Sequence, residues 1–220
     1  MIRVGLVDGA LPSGWPGLRQ QIRFCEGDGV LLSEHHAEGM ARTIAYHAGE
    51  VCIQNAVIFP GCLSTNVESV CAALNWLAMD PPEIVLCAFG MARAPVALSV
   101  ATARLQQAGC LVVASAPARG GKVFPAAFEG VLSVQGDARC APDELSRLDL
   151  PQAVFGACPE AIGAANIKGA SAAAAHLSGL LATVVLRGNE TPLEGLADFI
   201  RYHGRERRDA ETASIVRNAG

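Results

Sequence analysis

Apolar residues in this chain alternate between short continuous runs and longer stretches with helical spacing. The short runs contain four to nine residues and are rich in β-branched or apolar types, as buried strands are. They are Ile2–Val7, Val51–Phe59, Glu83–Phe89, Cys110–Ala116 and Val131–Val134. The helix-like stretches are His36–His47, Asn66–Met79, Arg93–Gln107 and Ser171–Thr183. Because apolar strands alternate with helices, the pattern predicts an α/β fold with a doubly wound, mostly parallel sheet covered by helices on both faces.

The stretch over residues 66–79 has the clearest helical period. Its apolar residues recur at steps of three and four, as expected of a helix with one face on a sheet: Val67, Val70, Cys71, Leu74 and Leu77. Thr65 is the predicted N-cap, Trp76 is predicted to pack in the core, and Pro81 and Pro82 end the helix.

The carboxyl-terminal part of the chain is less regular. The pattern over Pro192–Tyr202 predicts a closing amphipathic helix, with Leu193, Leu196, Phe199 and Ile200 facing inward. Residues 204–220 are predicted to form a flexible tail, whose charged run at 205–208 is solvated.

Composition favours a single domain. The 220 residues, of which 51% are apolar and 23 are glycine, are enough to bury one core, so residues 1–220 are assigned to one domain. The net charge of −4 gives no basic footprint for a phosphate backbone, so nucleic acid is not an expected partner.

The eight cysteines are interpreted as reduced core residues, because most lie in apolar runs and none forms a C-x-x-C pair.

The sequence also suggests a location. The first residues have no secretory n-region or cleavage site, and the apolar run Ala170–Leu186 is interrupted by polar residues such as His176. We therefore expect a buried helix rather than a membrane span, and a protein of the cytoplasm.

Three chemically useful residues occur in short motifs, in the order acid, base and hydroxyl. The residues are Asp8, His36 and Ser171, in the order of the subtilisin triad rather than the chymotrypsin order. The motifs are Val4-Gly-Leu-Val-Asp8-Gly9, His36-Ala-Glu-Gly-Met-Ala-Arg-Thr-Ile-Ala45 and Gly169-Ala-Ser171-Ala-Ala-Ala-Ala-His176-Leu-Ser-Gly179. Asp8 closes a predicted strand, whereas His36 and Ser171 start predicted helices, so all three can face one crevice at the carboxyl ends of the strands.

Each of these residues also has a purely structural interpretation. Asp8 before a glycine suits a turn, Ser171 suits the N-cap of an alanine-rich helix, and His36 suits a packed histidine at a helix start. The joint occurrence of the three motifs, in order, favours the catalytic interpretation over these separate ones.

Together the motifs resemble the signature segments of the subtilase family of serine peptidases, with weaker similarity from about residue 2 to residue 187. The resemblance implies that Ser171 is the nucleophile, His36 the general base and acid, and Asp8 the residue that orients the imidazole. The family motif aligns with His36 and leaves His35 outside it. His35 is therefore the natural control residue.

The resemblance also implies an extended polypeptide as substrate. The segment Ala88, Phe89 and Gly90 is similar to the family segment whose backbone pairs with substrate as an added strand. Gly61, Leu63 and Ser64 occupy the place of the opposite binding loop, and Ser115, Ala116 and Pro117 complete the wall of the first pocket.

The main departure from the family lies at the oxyanion hole. The position of the family's asparagine is Ala118 here, which removes one side-chain donor. In subtilisin, the reference member of this family, loss of that donor lowers turnover by about 10²–10³. Asn166 and Arg119 are the candidate replacement donors, beside the backbone N–H of Ser171.

Because only seven residues precede Asp8, we expect no pro-segment of the kind that subtilases usually carry. In this minimal design it is similar to the small subtilases that process leader peptides in quinohemoprotein amine dehydrogenase maturation. The similarity implies restricted specificity for a partner precursor with a leader segment.

Two other classes of protein remain as alternatives. A pseudoprotease or peptide-binding module would keep the fold and the crevice, and Ala118 favours that interpretation. A nucleotide-binding domain would require a G-x-G-x-x-G or G-x-x-x-x-G-K-[ST] motif, and neither occurs. No cofactor is predicted, and no metal site either, because His36 and His47 lie three helical turns apart, about 16 Å.

Overall fold

The computed structural model describes residues 1–27, 32–188, 191–204 and 206–207. Strands and helices alternate through most of these ranges. The strands are β1 (Ile2–Asp8), β2 (Leu18–Arg23), β3 (Val51–Val57), β4 (Ile84–Cys87), β5 (Leu111–Ser115), β6 (Leu132–Gly136), β7 (Leu145–Arg147), β8 (Phe155–Ala157), β9 (Glu160–Ala161), β10 (Ala164–Lys168), β11 (Ile200–His203) and β12 (Glu206–Arg207). The helices are α1 (Leu32–Ala48), α2 (Val67–Leu77), α3 (Val96–Gln107), α4 (Ala170–Leu186) and α5 (Pro192–Gly195), followed by a 3₁₀ turn at Leu196–Phe199.

One twisted sheet organises the chain. Ten strands follow the order β12-β11-β7-β8-β6-β5-β4-β1-β3-β2, while β9 and β10 pair separately. Neighbouring strands in the large sheet run parallel, except in the β7–β8 and β11–β12 pairs. The predicted doubly wound, mostly parallel sheet is therefore confirmed.

The helices cover the two faces of the sheet in pairs. Alternate residues of β1 point to opposite faces, so Val4 and Leu6 join one apolar cluster and Val7 joins the other. The first cluster lies under α1 and α4, and the second lies under α2 and α3. The two helices that carry His36 and Ser171 thus pack on the same face.

The contact between α1 and α4 is close because a glycine lies at the crossing. A Cβ atom on Gly179 would lie 2.9 Å from the backbone oxygen of Ile44 and 2.8 Å from His47 Cδ2. One turn further along α4, Thr183 Oγ1 donates a hydrogen bond of 2.9 Å to the His47 carbonyl. The two helices are thus fixed at a short separation over their central and carboxyl-terminal turns.

Several details differ from the sequence predictions. The N-cap of α2 is Asn66, whose side chain accepts from Ser69 N at 2.8 Å, and not Thr65. An amide oxygen at this position satisfies a first-turn N–H that the Thr65 hydroxyl does not reach. Trp76 is half-buried against the second apolar cluster and lies 5.8 Å from the Phe24 ring, as centroids.

The predicted helix over Pro192–Tyr202 is wrong in its second half. Only a short helix and a 3₁₀ turn form, and Ile200–His203 is a strand parallel to β7. Leu196 is fully buried, but Leu193 is 49% exposed rather than inward. Pairing with β7 wins over helical periodicity here, since alternate residues Ile200 and Tyr202 are buried. The predicted tail at 204–220 lies outside the described residues, apart from 204 and the strand β12.

The cysteines agree only in part with the prediction that all of them are reduced core residues. All eight cysteines are unpaired, and four are buried, but Cys62 is exposed and is not a core residue. Among the residues described, no helix combines the length and apolarity that crossing a membrane requires.

The helix crossing yields a stability prediction. Gly179→Ala should lower the free energy of unfolding by about 1–3 kcal/mol, because the new methyl group meets a backbone oxygen that cannot move alone. Urea unfolding followed by circular dichroism measures this change. Gly121→Ala is the control, since its Cβ would meet nothing within 4 Å. Equal midpoints for Gly179→Ala and wild type would contradict the close crossing.

Candidate active site

Asp8 ends β1 at the carboxyl edge of the sheet, and its carboxylate is fully buried. One carboxylate oxygen accepts the Gly9 N–H at 2.7 Å, and the two oxygens lie 2.9 and 2.8 Å from Nδ1 of His36. A buried charge is tolerated only with such partners. The strand end and the first part of α1 are therefore joined by a bidentate contact.

His36 is the fifth residue of α1 as described, and not its first residue as the sequence predicted. Its ring is nearly buried, and Nδ1 must carry the proton to donate to the carboxylate. Nε2 of the neutral ring is then the nitrogen with a free lone pair. Burial alone lowers the pKa of His36, but the charge of Asp8 and its hydrogen bond outweigh burial and raise the pKa above 6.5.

The loop after Asp8 is fixed by two polar side chains from the neighbouring strands. Gln21 of β2 accepts the Leu11 N–H at 2.8 Å and donates to the Leu11 carbonyl at 3.2 Å. The buried Asn55 of β3 donates to the Gly9 carbonyl at 3.0 Å and to Gln21 at 2.6 Å. These contacts hold the backbone next to the carboxylate. They could not be predicted from the sequence pattern, because β2 itself was not predicted.

Glycine at position 9 is required by the start of α1. A Cβ there would lie 2.0 Å from the backbone oxygen of Ser33. The backbone after Asp8 therefore contacts the first turn of α1 directly, which brings the carboxylate within reach of His36.

Ser171 is the second residue of α4, and the helix cap before it is Gly169. Gly169 has a φ of 117°, a conformation that favours glycine, and its N–H donates to the Pro159 carbonyl at 2.7 Å. The hydroxyl of Ser171 donates to the carbonyl of Ala88 at 2.9 Å. Ser171 is therefore not the N-cap, and its hydroxyl lies at the end of β4.

His36 and Ser171 line the same cavity, which has a volume of about 540 Å³. Five of the predicted substrate-binding residues line it as well: Leu63, Ser64, Ala88, Phe89 and Gly90. Its lining also contains residues that the sequence analysis did not assign to the site: Phe59, Thr65, Val67, Met91, Ala92 and Arg93. The shared cavity places the hydroxyl and the imidazole where a single extended ligand can contact both.

The other predicted site residues lie outside this lining. Ser115 ends β5 and Ala116 N donates to the Val134 carbonyl, so both are buried beside the sheet, while Gly61 and Pro117 are half-buried. Ala118 and Arg119 lie in the exposed segment after β5. Asn166, on β10, lines a different cavity together with His35, so the structure does not bring it to Ser171.

The buried His176 and the half-buried His47 link the two helices of the site. His176 Nε2 donates to the Glu160 carbonyl at 2.8 Å, so its Nδ1 accepts from Nε2 of His47 at 2.8 Å. Burial lowers the pKa of both rings, that of His47 to about 4, and the charge that His176 would carry adds to the effect on His47. Both rings are neutral near pH 7, and the sequence did not reveal that they meet.

Comparison with solved structures shows that the architecture is a subtilisin-like α/β fold. The chain shares 18% identity with a cold-adapted subtilisin-like serine proteinase at a TM-score of 0.68, over 89% of this chain and 79% of that one. It shares 17% identity with the prenylagaramide maturation protease PagA at a TM-score of 0.64, over 87% and 79% of the two chains. A lanthipeptide protease gives 17% identity and a TM-score of 0.63, over 84% and 72%.

Comparisons of the amino-acid sequence give a different result from the comparison of structures. No protein-family model matches it, and no curated protein has significant sequence similarity to it. The structural likeness therefore rests on the arrangement of elements rather than on long stretches of shared sequence.

The Asp8–His36 contact leads to a titration prediction. The ring signal of His36 in proton NMR should titrate above pH 6.5, and Asp8→Asn should move the midpoint below 6.5 because only burial then acts on the ring. His36→Gln assigns the signal by removing it. Because the folded-state pKa is raised, the contact stabilises the fold at low pH, and this contribution is lost as the pH rises through that pKa. An unchanged midpoint in Asp8→Asn would disprove the charge contact.

Proposed function

We propose that this chain is a serine endopeptidase in which Ser171 is the nucleophile, His36 the general base and acid, and Asp8 the residue that orients His36. The observation that carries the proposal is the bidentate Asp8–His36 contact beside a cavity that Ser171 also lines. A carboxylate on Nδ1 leaves Nε2 as the acceptor for a hydroxyl proton.

The first step requires the Ser171 hydroxyl to leave its partner in the resting structure. In the structure the hydroxyl of Ser171 donates to the Ala88 carbonyl. In the proposed step, rotation about χ1 to another staggered rotamer frees this hydroxyl to turn towards Nε2 of His36, which lines the same cavity. The Ala88 contact therefore describes a resting state of the nucleophile.

The chemistry then follows in two halves. Oγ of Ser171 forms a bond to the substrate carbonyl carbon while His36 takes the hydroxyl proton, and Asp8 stabilises the resulting imidazolium. His36 returns that proton to the leaving amine as the peptide bond breaks. Water then attacks the acyl-enzyme with His36 as base, which releases the acid product and restores the serine.

The oxyanion of the tetrahedral intermediate needs donors. The N–H of Ser171 lies in the first turn of α4, where backbone donors have no acceptor within the helix. The helix dipole adds to its effect there. Ala118 supplies no side-chain donor, and Asn166 lies on another cavity, so Arg119 is the remaining side-chain candidate of the two.

The substrate in this proposal is an extended polypeptide that pairs with residues 88–90. Within the described chain, the backbone groups of Phe89 and Gly90 make no hydrogen bond. They are therefore available to a substrate strand, as in other cases of strand addition. Leu63 and Ser64 face the same cavity and would form its opposite wall.

The biological substrate that we propose is a precursor protein whose leader peptide is removed in the cytoplasm. Two of the structural neighbours described above are named as a prenylagaramide maturation protease and a lanthipeptide protease, which supports a role in processing a precursor. The narrower proposal, a precursor from quinohemoprotein amine dehydrogenase maturation, is supported by the sequence resemblance alone.

A peptide-binding module without catalysis is the second candidate. The absence of an amide donor at Ala118 favours it, because an oxyanion donor contributes about 2.7–4 kcal/mol to the transition state in the related subtilisin. The intact contact between Asp8 and His36 favours catalysis, since binding alone does not require it.

Fluorophosphonate labelling separates these two candidates. The wild type should be modified at Ser171, and Ser171→Ala should lose the adduct completely, as intact-protein mass spectrometry would report. His36→Ala should label at least about 10³-fold more slowly, because the hydroxyl loses its base. His35→Ala is the matched control, since that exposed ring belongs to another cavity, and it should label at the wild-type rate. Absence of labelling in the wild type would favour the binding module.

Cleavage of a precursor is tested separately. Co-expression with a candidate precursor should give a shortened product with wild type and an intact product with Ser171→Ala, as measured by mass spectrometry. Casein should be cut slowly under the same conditions, because one oxyanion donor is missing. Rapid, unspecific digestion of casein would contradict restricted specificity.

A further inference from the structure

The basic residues of this chain are not distributed evenly between paired and unpaired sites. Nearly every arginine and lysine side chain that the structure describes has a partner. Ion pairs with carboxylates are made by Arg3, Arg19, Arg42, Arg139, Arg147 and Lys168. Hydrogen bonds or ring contacts are made by Arg23, Arg104, Arg187 and Arg201. The described basic side chains without any such contact are Arg93, Arg119 and Lys122.

These three residues, the basic rim, lie on two adjacent segments beside the candidate active site. Arg93 lines the cavity that His36 and Ser171 share. The segment of Lys122 is held against this lining by an antiparallel bridge, in which Met91 and Phe124 exchange backbone hydrogen bonds of 2.8 Å. Arg119 precedes Lys122 on the same exposed segment.

The bridge places two of the charges at the same end. Arg93 follows Met91 by two residues and Lys122 precedes Phe124 by two, so the antiparallel bridge places both residues on the same side of it. The neighbouring Val123 packs on Gly90, since a Cβ at that glycine would lie 2.7 Å from Val123 Cγ2. The chain segments that carry both charges therefore adjoin the segment proposed to pair with substrate.

None of these three charges forms an ion pair with a carboxylate of the described chain, and the nearby Glu68 lines a neighbouring cavity instead. The cavity lining contains no Asp or Glu, and neither do residues 88–95 or 116–124. The chain as a whole has more acidic than basic residues, 21 against 17. Three unpaired cations beside one cavity of an acidic protein produce a local positive potential, which attracts anions.

We propose that Arg93, Arg119 and Lys122 select a polypeptide segment that carries carboxylate side chains near the bond placed over Ser171. This inference rests on the proposed function, and it names the chemical class of its substrate. An acidic segment offers carboxylates to guanidinium groups at hydrogen-bonding distance. An added strand on residues 88–90 would bring its alternate side chains to the basic rim.

Peptide binding to Ser171→Ala tests the proposal without requiring cleavage. Fluorescein-labelled extended peptides with three Glu, three Gln or three Lys at matched positions are compared by fluorescence anisotropy. The Glu peptide should bind at least about tenfold more tightly than the Lys peptide at low salt, since each exposed charge pair contributes about 0.2–1 kcal/mol. The difference should fall to about twofold at 1 M salt, where the screening length is about 3 Å.

Charge reversal supplies the decisive variant. Arg93→Glu combined with Lys122→Glu, in the Ser171→Ala background, should reverse the order so that the Lys peptide binds more tightly. Arg104→Glu combined with Arg187→Glu changes the net charge equally, away from the cavity, and should keep the preference for Glu. Equal affinities for the three peptides, or a Glu preference that survives reversal of the rim, would overturn the proposal.

Three further outcomes distinguish this proposal from the alternatives. If the wild-type protein cleaves peptides without a charge preference, the basic-rim proposal is wrong and the proposed peptidase function is retained. Charge-dependent binding by a protein that fluorophosphonate never labels would retain the acidic ligand and reject the peptidase. A single-stranded oligonucleotide that displaces the Glu peptide at lower concentration, and no longer binds after rim reversal, would assign the rim to nucleic acid and overturn the proposal.

Discussion

The contact between Asp8 and His36 is the interaction on which the site depends. The carboxylate is fully buried, so it needs donors, and it finds them in the Gly9 N–H and in Nδ1 of His36. This requirement fixes the tautomer of the imidazole and therefore which nitrogen can act as a base. The fold satisfies it because Gly9 allows the strand end to contact the first turn of α1.

A second constraint is the rigid placement of α1 against α4. These helices carry His36 and Ser171, and they pack on the same face of the sheet. Gly179 permits their close crossing, and the partly buried His47–His176 hydrogen bond also joins them. The positions of His36 and Ser171 thus follow from one helix–helix interface as well as from the ends of β1 and β4.

The sequence predicted the parts of the structure that depend on local pattern. The buried strands and long helices followed from apolar periodicity, and Asp8 was expected at the end of the first strand, where it lies. Other features depend on contacts between distant segments, for which a single sequence carries no signal. The polar edge strand β2, with its Gln21–Asn55 hydrogen bond, is one example, and the pairing of β11 with β7 is another.

The same distinction applies to the site. Motif order suggested the three chemical residues, but it could not tell that the Ser171 hydroxyl would donate to Ala88, or that Asn166 would line another cavity. Arg93, Phe59 and Met91 had no recognisable motif, and only the fold assigns them to the cavity. Residue types suggest chemistry, while the carboxyl edge of the sheet determines which residues share a surface.

Catalysis by this chain requires that Ser171, once released from the Ala88 carbonyl, meets Nε2 of His36 while Asp8 holds Nδ1. A crystal structure of the protein after reaction with a peptidyl phosphonate would show whether this happens. We expect a covalent bond between phosphorus and Ser171 Oγ, His36 Nε2 within about 3.2 Å of that oxygen, and an unchanged Asp8–His36 contact. An unmodified Ser171, still bonded to Ala88 while the inhibitor occupies the cavity, would contradict the proposed mechanism.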